Sequence, residues 1–347
     1  MNTFEYANPT SVGDAVSLLA GTWGETEVLA GGTDLITSLK QRLTAPRLVV
    51  SLSKVKGLRG ITKKGDNLQI GATTTLSELV ANADVQEHFP ALVTAATNIG
   101  STQMLNMGTV GGDLLQRPRC WYFRNGFGLF GMHNGEPLIP KGDNRYHAIF
   151  GNSGAAKFVN ASSLAPGLIA LGATVSVQGP GGAREIKVSE FYSTPKSEND
   201  REYTLKSNEV LTGISIPMQG LRNGTYEVRQ RQGLDWPMVA ASVAFKYGGS
   251  ERSRTVNDVR IVLGHVAPVP WYSGKASKEL SGKEVQSARL AFFGTNDEVL
   301  DAAAAAAVEG ATPLSRNGYK VQQAKVAVRR AIIAALPGQS EAWLSKV

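Results

Sequence analysis

Two glycine-rich segments of the chain carry the residue types best suited to bind a phosphorylated ligand. The first lies between a predicted strand and a predicted helix and consists of Leu29, Ala30, Gly31, Gly32, Thr33, Asp34 and Leu35. Paired glycines let backbone amides approach a ligand closely, and the following helix directs its N-terminus at the same place. Because the spacing matches neither a Walker loop nor GxGxxG, the segment by itself is equally compatible with a plain strand–helix turn.

The second segment, residues 99–114, combines four glycines with hydroxyl, amide and carboxylate groups. Its candidate ligand contacts are Ser101, Asn106, Gly108, Thr109, Gly111, Gly112 and Asp113. An open backbone with many donors and acceptors suits a large polar ligand, and a flexible surface loop is the alternative. Two such segments in one chain favour a shared nucleotide-like ligand.

The composition restricts the other classes of function. The length of 347 residues suggests two or three domains, and 38 glycines exceed the usual level of about 7 %. The single cysteine, Cys120, excludes a disulfide within the chain and any metal site that needs two of its cysteines. The net charge of +7 favours anionic partners, but the basic residues are scattered, so we expect no nucleic-acid binding. The sequence also predicts no membrane span and no secretion signal.

The pattern of apolar residues predicts a chain of mixed helix and strand. The first 55 residues alternate strand and helix, with Ser11 as a helix N-cap, and so predict a small α/β unit. Farther along, strands are predicted at residues 68–72, 174–177, 184–188 and 209–217, helices at 75–81, 92–99 and 163–171, and a long loop at 100–115. A polar stretch at 219–223 predicts a domain boundary. Beyond it we predict strands at 225–231, 242–247 and 259–263 and helices at 302–307 and 322–336.

Residues 120–149 show little periodicity and are rich in glycine, asparagine, proline and aromatic residues. Such a segment is either a functional loop or an insertion packed on a partner. We interpret its adjacent aromatic residues, Trp121, Tyr122 and Phe123, as an interface with a partner subunit. The histidines lack metal-ligand spacing, so we expect hydrogen-bonded structural roles for His147 and His265, with ligand or partner contact as the alternative.

Several motifs together resemble one known family. The most specific are AGGTDL at residues 30–35 and NMGTVGG at 106–112, and others follow at 160–166, 228–231, 263–270 and 317–320. On these residues the chain resembles the FAD-binding medium subunit of the molybdenum hydroxylases, which include xanthine dehydrogenases, aldehyde oxidoreductases and carbon monoxide dehydrogenases. Residues 119–124 and 144–148 are most similar to the bacterial aldehyde oxidoreductase type.

The resemblance implies an α+β fold. A two-subdomain FAD-binding domain of the vanillyl-alcohol-oxidase-like type would cover residues 1–218, with subdomains of about 1–55 and 56–218, and a smaller α/β C-terminal domain would cover 222–335. FAD would be the cofactor of this chain. The resemblance places residues 31–34 at the pyrophosphate, Thr109, Gly111, Gly112 and Asp113 along the pyrophosphate and the ribityl–adenosine portion, and Leu211 near the isoalloxazine ring.

The resemblance also implies a division of labour within a heterotrimer. A large subunit with a molybdenum–pterin cofactor oxidises the substrate, a small subunit with two [2Fe–2S] clusters relays electrons, and this chain passes them from FAD to an external acceptor. An aldehyde is the expected substrate. A xanthine dehydrogenase flavin subunit, a stand-alone FAD-dependent oxidoreductase and a nucleotide-binding subunit without flavin are the alternatives. The expected location is the cytoplasm, or the periplasm if a partner subunit carries the export signal.

Three positions depart from the family pattern. Ser163 replaces an aspartate that contacts the flavin nucleotide, Asp113 stands where relatives often have asparagine, and Glu227 aligns with a lysine near the ring in several relatives. Loss of a nearby cation makes the reduced anionic flavin less favourable. We therefore predict a lower flavin potential than in lysine-bearing relatives, and a redox titration that gives a higher potential would contradict this.

The region around Cys120 departs most strongly from the family pattern. Some relatives hold an additional [4Fe–4S] cluster there with four cysteines, and this sequence contains one cysteine in all. We therefore predict no [4Fe–4S] cluster in this chain and interpret Cys120 as a buried apolar residue. Four iron atoms per isolated protomer would refute this prediction.

Overall fold

The computed structural model describes residues 1–231, 235–250, 253–285 and 298–336. The chain begins with alternating strands and helices: β1 (Glu5–Ala7), α1 (Val12–Ser17), β2 (Thr26–Leu29), α2 (Leu35–Lys40) and β3 (Leu48–Ser51). The strands form a parallel sheet in the order β1-β3-β2. All four residues of the central strand β3 are buried, as expected for a strand covered on both faces. The predicted N-cap Ser11 accepts a hydrogen bond from the Asp14 amide at 3.1 Å.

The middle of the chain builds a second, antiparallel sheet with helices against it. Its elements are β4 (Ile61–Lys64), β5 (Asn67–Gly71), α3 (Leu76–Ala81), α4 (Ala83–His88), α5 (Pro90–Thr97), α6 (Thr102–Met107), α7 (Val110–Leu115), α8 (Trp121–Arg124), β6 (Met132–His133), β7 (Glu136–Pro137), α9 (Leu164–Ala170), β8 (Thr174–Gly179), β9 (Gly182–Lys187), α10 (Val188–Phe191) and β10 (Val210–Pro217). The strand order is β4-β5-β10-β8-β9, and β6 and β7 form a separate hairpin. Residues of β8 alternate between buried and half-buried, which places one face of the sheet on the helices.

Residues 100–115 were expected to form a long loop and instead form two six-residue helices, α6 and α7. Each begins at a side-chain cap. The hydroxyl of Ser101 accepts from the Met104 amide at 3.3 Å, and that of Thr109 accepts from the Gly112 amide at 3.0 Å. The loop prediction was wrong here, because it rested on the glycines at 100, 108, 111 and 112, whereas the side-chain caps and the packing of the backbone stabilise helices despite them.

Residues 117–160, the Cys120 segment, pack around a small core of their own. Leu129, Phe130, Ala156 and Phe158 are buried together, and Cys120 and Phe123 pack against them. The ring of Trp121 meets that of Tyr146 edge to face at 5.3 Å. The aromatic run 121–123 is half-buried by contacts within the chain, and its role at a subunit interface stays a prediction.

The C-terminal part contains a four-stranded antiparallel sheet in the order β11-β12-β13-β14. Its elements are β11 (Arg222–Val228), β12 (Val239–Ser250), β13 (Ser253–Gly264), β14 (Trp271–Tyr272), α11 (Gly274–Leu280), α12 (Glu298–Ala307) and α13 (Tyr319–Ala335). Helix α13 packs on the sheet through small residues, and a Cβ on Gly224 would lie 2.8 Å from the Ala331 carbonyl oxygen. None of the described helices combines the length and apolar character needed to cross a bilayer.

Lys320, near the start of α13, joins the Cys120 segment to the C-terminal sheet. It is 1 % exposed, and its ammonium donates to the carbonyl oxygens of His147 at 3.1 Å and His265 at 2.7 Å. Burial lowers the pKa of Lys320 to about 7.

A pH-dependent stability follows from Lys320. Between about pH 7 and the ordinary lysine pKa of about 10.4, the unfolded chain binds a proton that the folded chain releases. The free energy of unfolding therefore gains up to about 1.4 kcal/mol per pH unit as the pH rises through this window, and this gain is lost as the pH falls to 7. Denaturant titrations at pH 7 and pH 9 should show this gain in the wild type and not in Lys320→Met.

Lys187→Met is the matched control, because the Lys187 side chain is 70 % exposed. It should keep the wild-type pH dependence. Parallel curves for wild type and Lys320→Met would contradict the assignment to Lys320.

Candidate functional site

The two glycine-rich segments meet in the fold, backbone against backbone. A Cβ on Gly31 would lie 1.9 Å from the carbonyl oxygen of Met107, at the end of α6. A Cβ on Gly111 would lie 2.9 Å from both the Ala72 carbonyl oxygen and Leu211 Cδ2. Real Cβ atoms do not approach other atoms so closely, so glycine is required at both positions. The segments thus form one wall of a single site.

The first segment presents unpaired backbone amides. Within the described part of the chain, the amides of Gly31, Gly32 and Thr33 donate no hydrogen bond. Gly32 has a φ of +77°, and its carbonyl oxygen accepts from the Ile36 amide at 3.0 Å, so the chain turns directly into α2. Consecutive unpaired amides before a helix are an anion-binding arrangement.

The second segment differs, because its amides are already bonded. The Val110 amide donates to Thr74 O at 2.9 Å, that of Gly111 to Ala72 O at 2.8 Å, and that of Gly112 to the Thr109 hydroxyl. These bonds fix α7 on the end of β5. The second segment therefore contributes a rigid backbone surface to the site, and the first segment contributes hydrogen-bond donors.

A cleft runs between the parallel sheet and the antiparallel sheet, and most of the predicted site residues line it. These are Ala30, Gly31, Gly32, Thr33, Asp34, Leu35, Thr109, Gly111, Gly112 and Leu211. The other candidates do not line the cleft: Leu29, Ser101, Asn106, Gly108, Asp113 and Ser163. Leu29 lies beneath Gly32, Ser101 caps α6, Asn106 is exposed, and Gly108 packs on Leu76.

Asp34 lines the cleft, but its carboxylate is occupied by the Cys120 segment. One oxygen accepts from the Arg117 amide at 2.9 Å, and the other pairs with the guanidinium groups of Arg119 and Arg124, each at 2.9 Å. The side chains of Asp34 and Arg124 are 18 % and 11 % exposed, so this is a largely buried pair. Asp34 therefore ties residues 117–124 to the first glycine-rich segment.

Cations and aromatic rings that the sequence did not reveal also line the cleft. Arg117 pairs with Glu202 at 3.1 Å, and the guanidinium of Arg201 lies 4.7 Å from the centre of the Trp23 ring. Trp23 in turn meets Tyr203 edge to face at 6.1 Å. No local motif marks these residues, since they come from positions far apart in the chain. They place guanidinium groups and flat aromatic walls at the cleft, which the carboxylate residues Glu27 and Glu209 also line.

Asp113 is buried away from the cleft and anchors the start of α9. Its carboxylate accepts from the Leu164 amide at 3.1 Å, the Ser163 amide at 3.4 Å and the hydroxyl of Ser162. Burial raises the pKa of Asp113. The two departures at Asp113 and Ser163 are thus in direct contact, through the amide of Ser163.

Glu227 is also buried, and it forms an ion pair with Arg229 at 2.6 Å. The Glu227 side chain is 1 % exposed, and burial raises its pKa. Arg229 donates in addition to the Asn98 carbonyl oxygen at 2.7 Å. The arginine compensates the carboxylate, so the charge difference behind the predicted lower flavin potential is smaller than the sequence alone indicates.

Comparison with known proteins identifies the family. Residues 2–219 match the FAD binding domain in molybdopterin dehydrogenase, and residues 224–335 match the CO dehydrogenase flavoprotein C-terminal domain. The chain belongs to this family of FAD-binding medium subunits of molybdenum hydroxylases, and FAD is its cofactor. It is an oxidoreductase subunit, as the sequence motifs predicted.

Relatives match over most of the chain. The carbon monoxide dehydrogenase medium chain of Hydrogenophaga pseudoflava is 30 % identical over 96 % of both chains. The aldehyde oxidoreductase FAD-binding subunit of Escherichia coli is 27 % identical over 81 % of this chain and 87 % of its own. A structure of the Hydrogenophaga pseudoflava carbon monoxide dehydrogenase lacking the Mo-pyranopterin moiety matches with a TM-score of 0.72, 28 % identity and 96 % coverage of both chains. The sequence identities to the carbon monoxide dehydrogenase and aldehyde oxidoreductase subunits are nearly equal, so they do not indicate which substrate class applies to this chain.

Proposed function

We propose that this chain is the electron-transfer subunit of an aldehyde-oxidising molybdenum hydroxylase. In this proposal it receives electrons from the [2Fe–2S] clusters of a small partner subunit and passes them from FAD to an external acceptor. The large partner subunit, with its molybdenum cofactor, oxidises the substrate.

The observation that carries the proposal is the cleft with three unpaired amides at Gly31, Gly32 and Thr33. These donors fit the pyrophosphate of a dinucleotide, whose two negative charges need hydrogen bonds in place of water. The guanidinium of Arg201, which lies over the Trp23 ring, lines the same cleft and offsets part of that charge, whereas Arg117 is paired with Glu202. Trp23 and Leu211 offer apolar surface to flat rings.

The residues of this chain bind and orient the cofactor, and bound flavin supplies the capacity to accept and release electrons one at a time. The contact of Gly31 with Met107 holds the two glycine-rich segments together, and the contact of Gly111 with Ala72 fixes α7 on the end of β5. Together these contacts position the unpaired amides at the cleft.

The aldehyde class rests on the similarity of residues 119–124 and 144–148 to the bacterial aldehyde oxidoreductase type. Relatives include an aldehyde oxidoreductase subunit, a glyceraldehyde dehydrogenase medium chain and xanthine dehydrogenase subunits. The substrate would bind on another subunit. The residues of this chain therefore support the substrate class, an aldehyde, but do not identify the particular aldehyde.

Purification of the native complex through an affinity tag on this chain tests the proposal. We expect co-purification of a large and a small subunit, a flavin absorbance spectrum, and reduction of an artificial acceptor by aldehydes in preference to xanthine or carbon monoxide. Preference for xanthine would support the purine alternative. Flavin without partner subunits would support a stand-alone enzyme, and absence of flavin would overturn both.

A further inference from the structure

A loop between α10 and β10 contributes to the wall of the cofactor cleft. This cleft loop comprises residues 193–203, and near its end two residues, Arg201 and Tyr203, line the cleft. The two ends of the loop are joined, because the Ser193 amide donates to the Glu202 carbonyl oxygen at 3.1 Å. Whatever fixes the cleft loop in place therefore also positions two residues of the cofactor site.

The tip of the cleft loop is a turn closed by its own hydrogen bonds. The Asp200 carboxylate accepts from the Lys196 amide at 2.8 Å, the Ser197 amide at 2.9 Å and the Ser197 hydroxyl at 2.9 Å. The Asp200 amide donates back to the Ser197 carbonyl oxygen at 3.2 Å. Glu198 stands inside this turn, three residues before Arg201. Because the turn is closed, a displacement of Glu198 moves Arg201 with it.

Glu198 ties this tip to the Cys120 segment. Its two carboxylate oxygens accept hydrogen bonds from successive backbone amides, those of Leu129 at 2.5 Å and Phe130 at 3.0 Å. Two successive amides directed at one carboxylate form a small anion site, and hydrogen bonds to a charged acceptor are stronger than those between neutral groups. Leu129 and Phe130 belong to the small core of the Cys120 segment, so the cleft loop is anchored on a packed part of the fold.

The residue before these amides, Gly128, is shaped to admit the carboxylate. Its φ is +74°, and a Cβ there would lie 2.9 Å and 3.0 Å from the two carboxylate oxygens of Glu198. Gly126 has a similar backbone, with a φ of +86°, but a Cβ on it would have no atom within 4 Å. The two glycines therefore share the backbone requirement, and Gly128 alone of the pair also makes room for Glu198.

Arg201 is the residue of the cleft loop best suited to hold an anionic ligand. Its guanidinium lies 4.7 Å from the centre of the Trp23 ring. Among the described residues, its side chain donates one hydrogen bond, to the Asp200 carbonyl oxygen at 3.5 Å, and its unbonded guanidinium nitrogens remain accessible to solvent. A guanidinium carries five N–H donors, so Arg201 keeps donors for a phosphate group in the cleft.

We propose that Glu198 is a positioning residue for the cofactor. By anchoring the cleft loop on the amides of Leu129 and Phe130, it holds Arg201 at the cleft, where the charge of Arg201 retains the FAD pyrophosphate and slows its release. Glu198 itself does not line the cleft and acts through Arg201. The inference rests on FAD as the cofactor and goes beyond the proposed function, because it applies whatever substrate the complex oxidises.

Release of FAD from the purified, FAD-loaded chain tests the proposal, and the fluorescence of free flavin after dilution measures its rate. We expect Glu198→Ala to release FAD about tenfold faster than the wild type, the equivalent of one hydrogen bond to a charged group. Gly128→Ala should also accelerate release, because its Cβ displaces the Glu198 carboxylate. Gly126→Ala, which carries the backbone strain without that contact, should release FAD as the wild type does.

A double variant separates the positioning of Arg201 from a general loss of stability. Arg201→Met should release FAD faster by itself, and adding Glu198→Ala to it should change the rate by no more than about twofold. Higher ionic strength should accelerate release from the wild type and much less from either variant, since salt screens the attraction of Arg201 for the pyrophosphate. Wild-type release by Glu198→Ala, equal rates for Gly126→Ala and Gly128→Ala, or an undiminished effect in the double variant would overturn the proposal. The partner subunits that co-purify and the substrates they oxidise test the proposed function separately.

Discussion

Gly31→Ala should lose FAD affinity by about 5- to 150-fold, the equivalent of the ~1–3 kcal/mol that overpacking costs. The added Cβ would lie 1.9 Å from the carbonyl oxygen of Met107 and 2.8 Å from its carbonyl carbon. Both atoms are backbone, so no side-chain rotation relieves the clash. The two glycine-rich segments must separate, and the unpaired amides then move out of register with the ligand. Equilibrium titration of the apoprotein with FAD measures the effect.

Gly181→Ala provides the matched control for this variant. Gly181 lies in the turn between β8 and β9, and a Cβ there has no atom within 4 Å. The FAD affinity and melting temperature of Gly181→Ala should equal those of the wild type. If Gly31→Ala instead binds FAD as tightly as Gly181→Ala does, the contact between the two segments does not shape the cofactor site.

Local composition was enough to locate the glycine-rich walls of the site. Paired glycines beside a strand, as at Gly31 and Gly32, indicate a backbone conformation that other residues rarely adopt. Such a turn can therefore be recognised from a few residues of sequence. Composition also located the second segment around Gly111, and the family motif then assigned both segments to FAD. The structure brings these segments into contact, which neither composition nor periodicity could show, because that contact depends on the packing of α6 and α7.

The charged part of the site could not be predicted in the same way. Arg201 is far in sequence from Thr33, and its place in the cleft depends on the connection that leads into β10. The resemblance assigned Asp34 to the pyrophosphate, whereas in the structure its carboxylate bonds to residues 117–124. The family motif predicts which residue type stands at position 34. It does not predict the partner of the carboxylate, because that partner is set by the tertiary structure.

Asp34→Ala should destabilise the folded protein by about 3–5 kcal/mol, the usual effect of removing one partner of a buried ion pair. Arg124 would keep its buried charge without the carboxylate, and the Arg117 amide would lose its acceptor. Residues 117–124 would then no longer be tied to the cofactor loop, so FAD affinity should fall as well. Denaturant unfolding and FAD titration of the same preparation measure both effects.

Asp34→Asn separates positioning from direct contact with the cofactor. If Asp34 faced the pyrophosphate, removal of its negative charge would strengthen FAD binding and leave stability unchanged, because like charges repel. If it positions residues 117–124, the neutral amide loses the attraction to Arg119 and Arg124, and both stability and FAD affinity fall. We expect the second result. Glu190→Gln, which changes an exposed carboxylate 3.8 Å from Lys187, should leave both quantities unchanged and controls for charge alone.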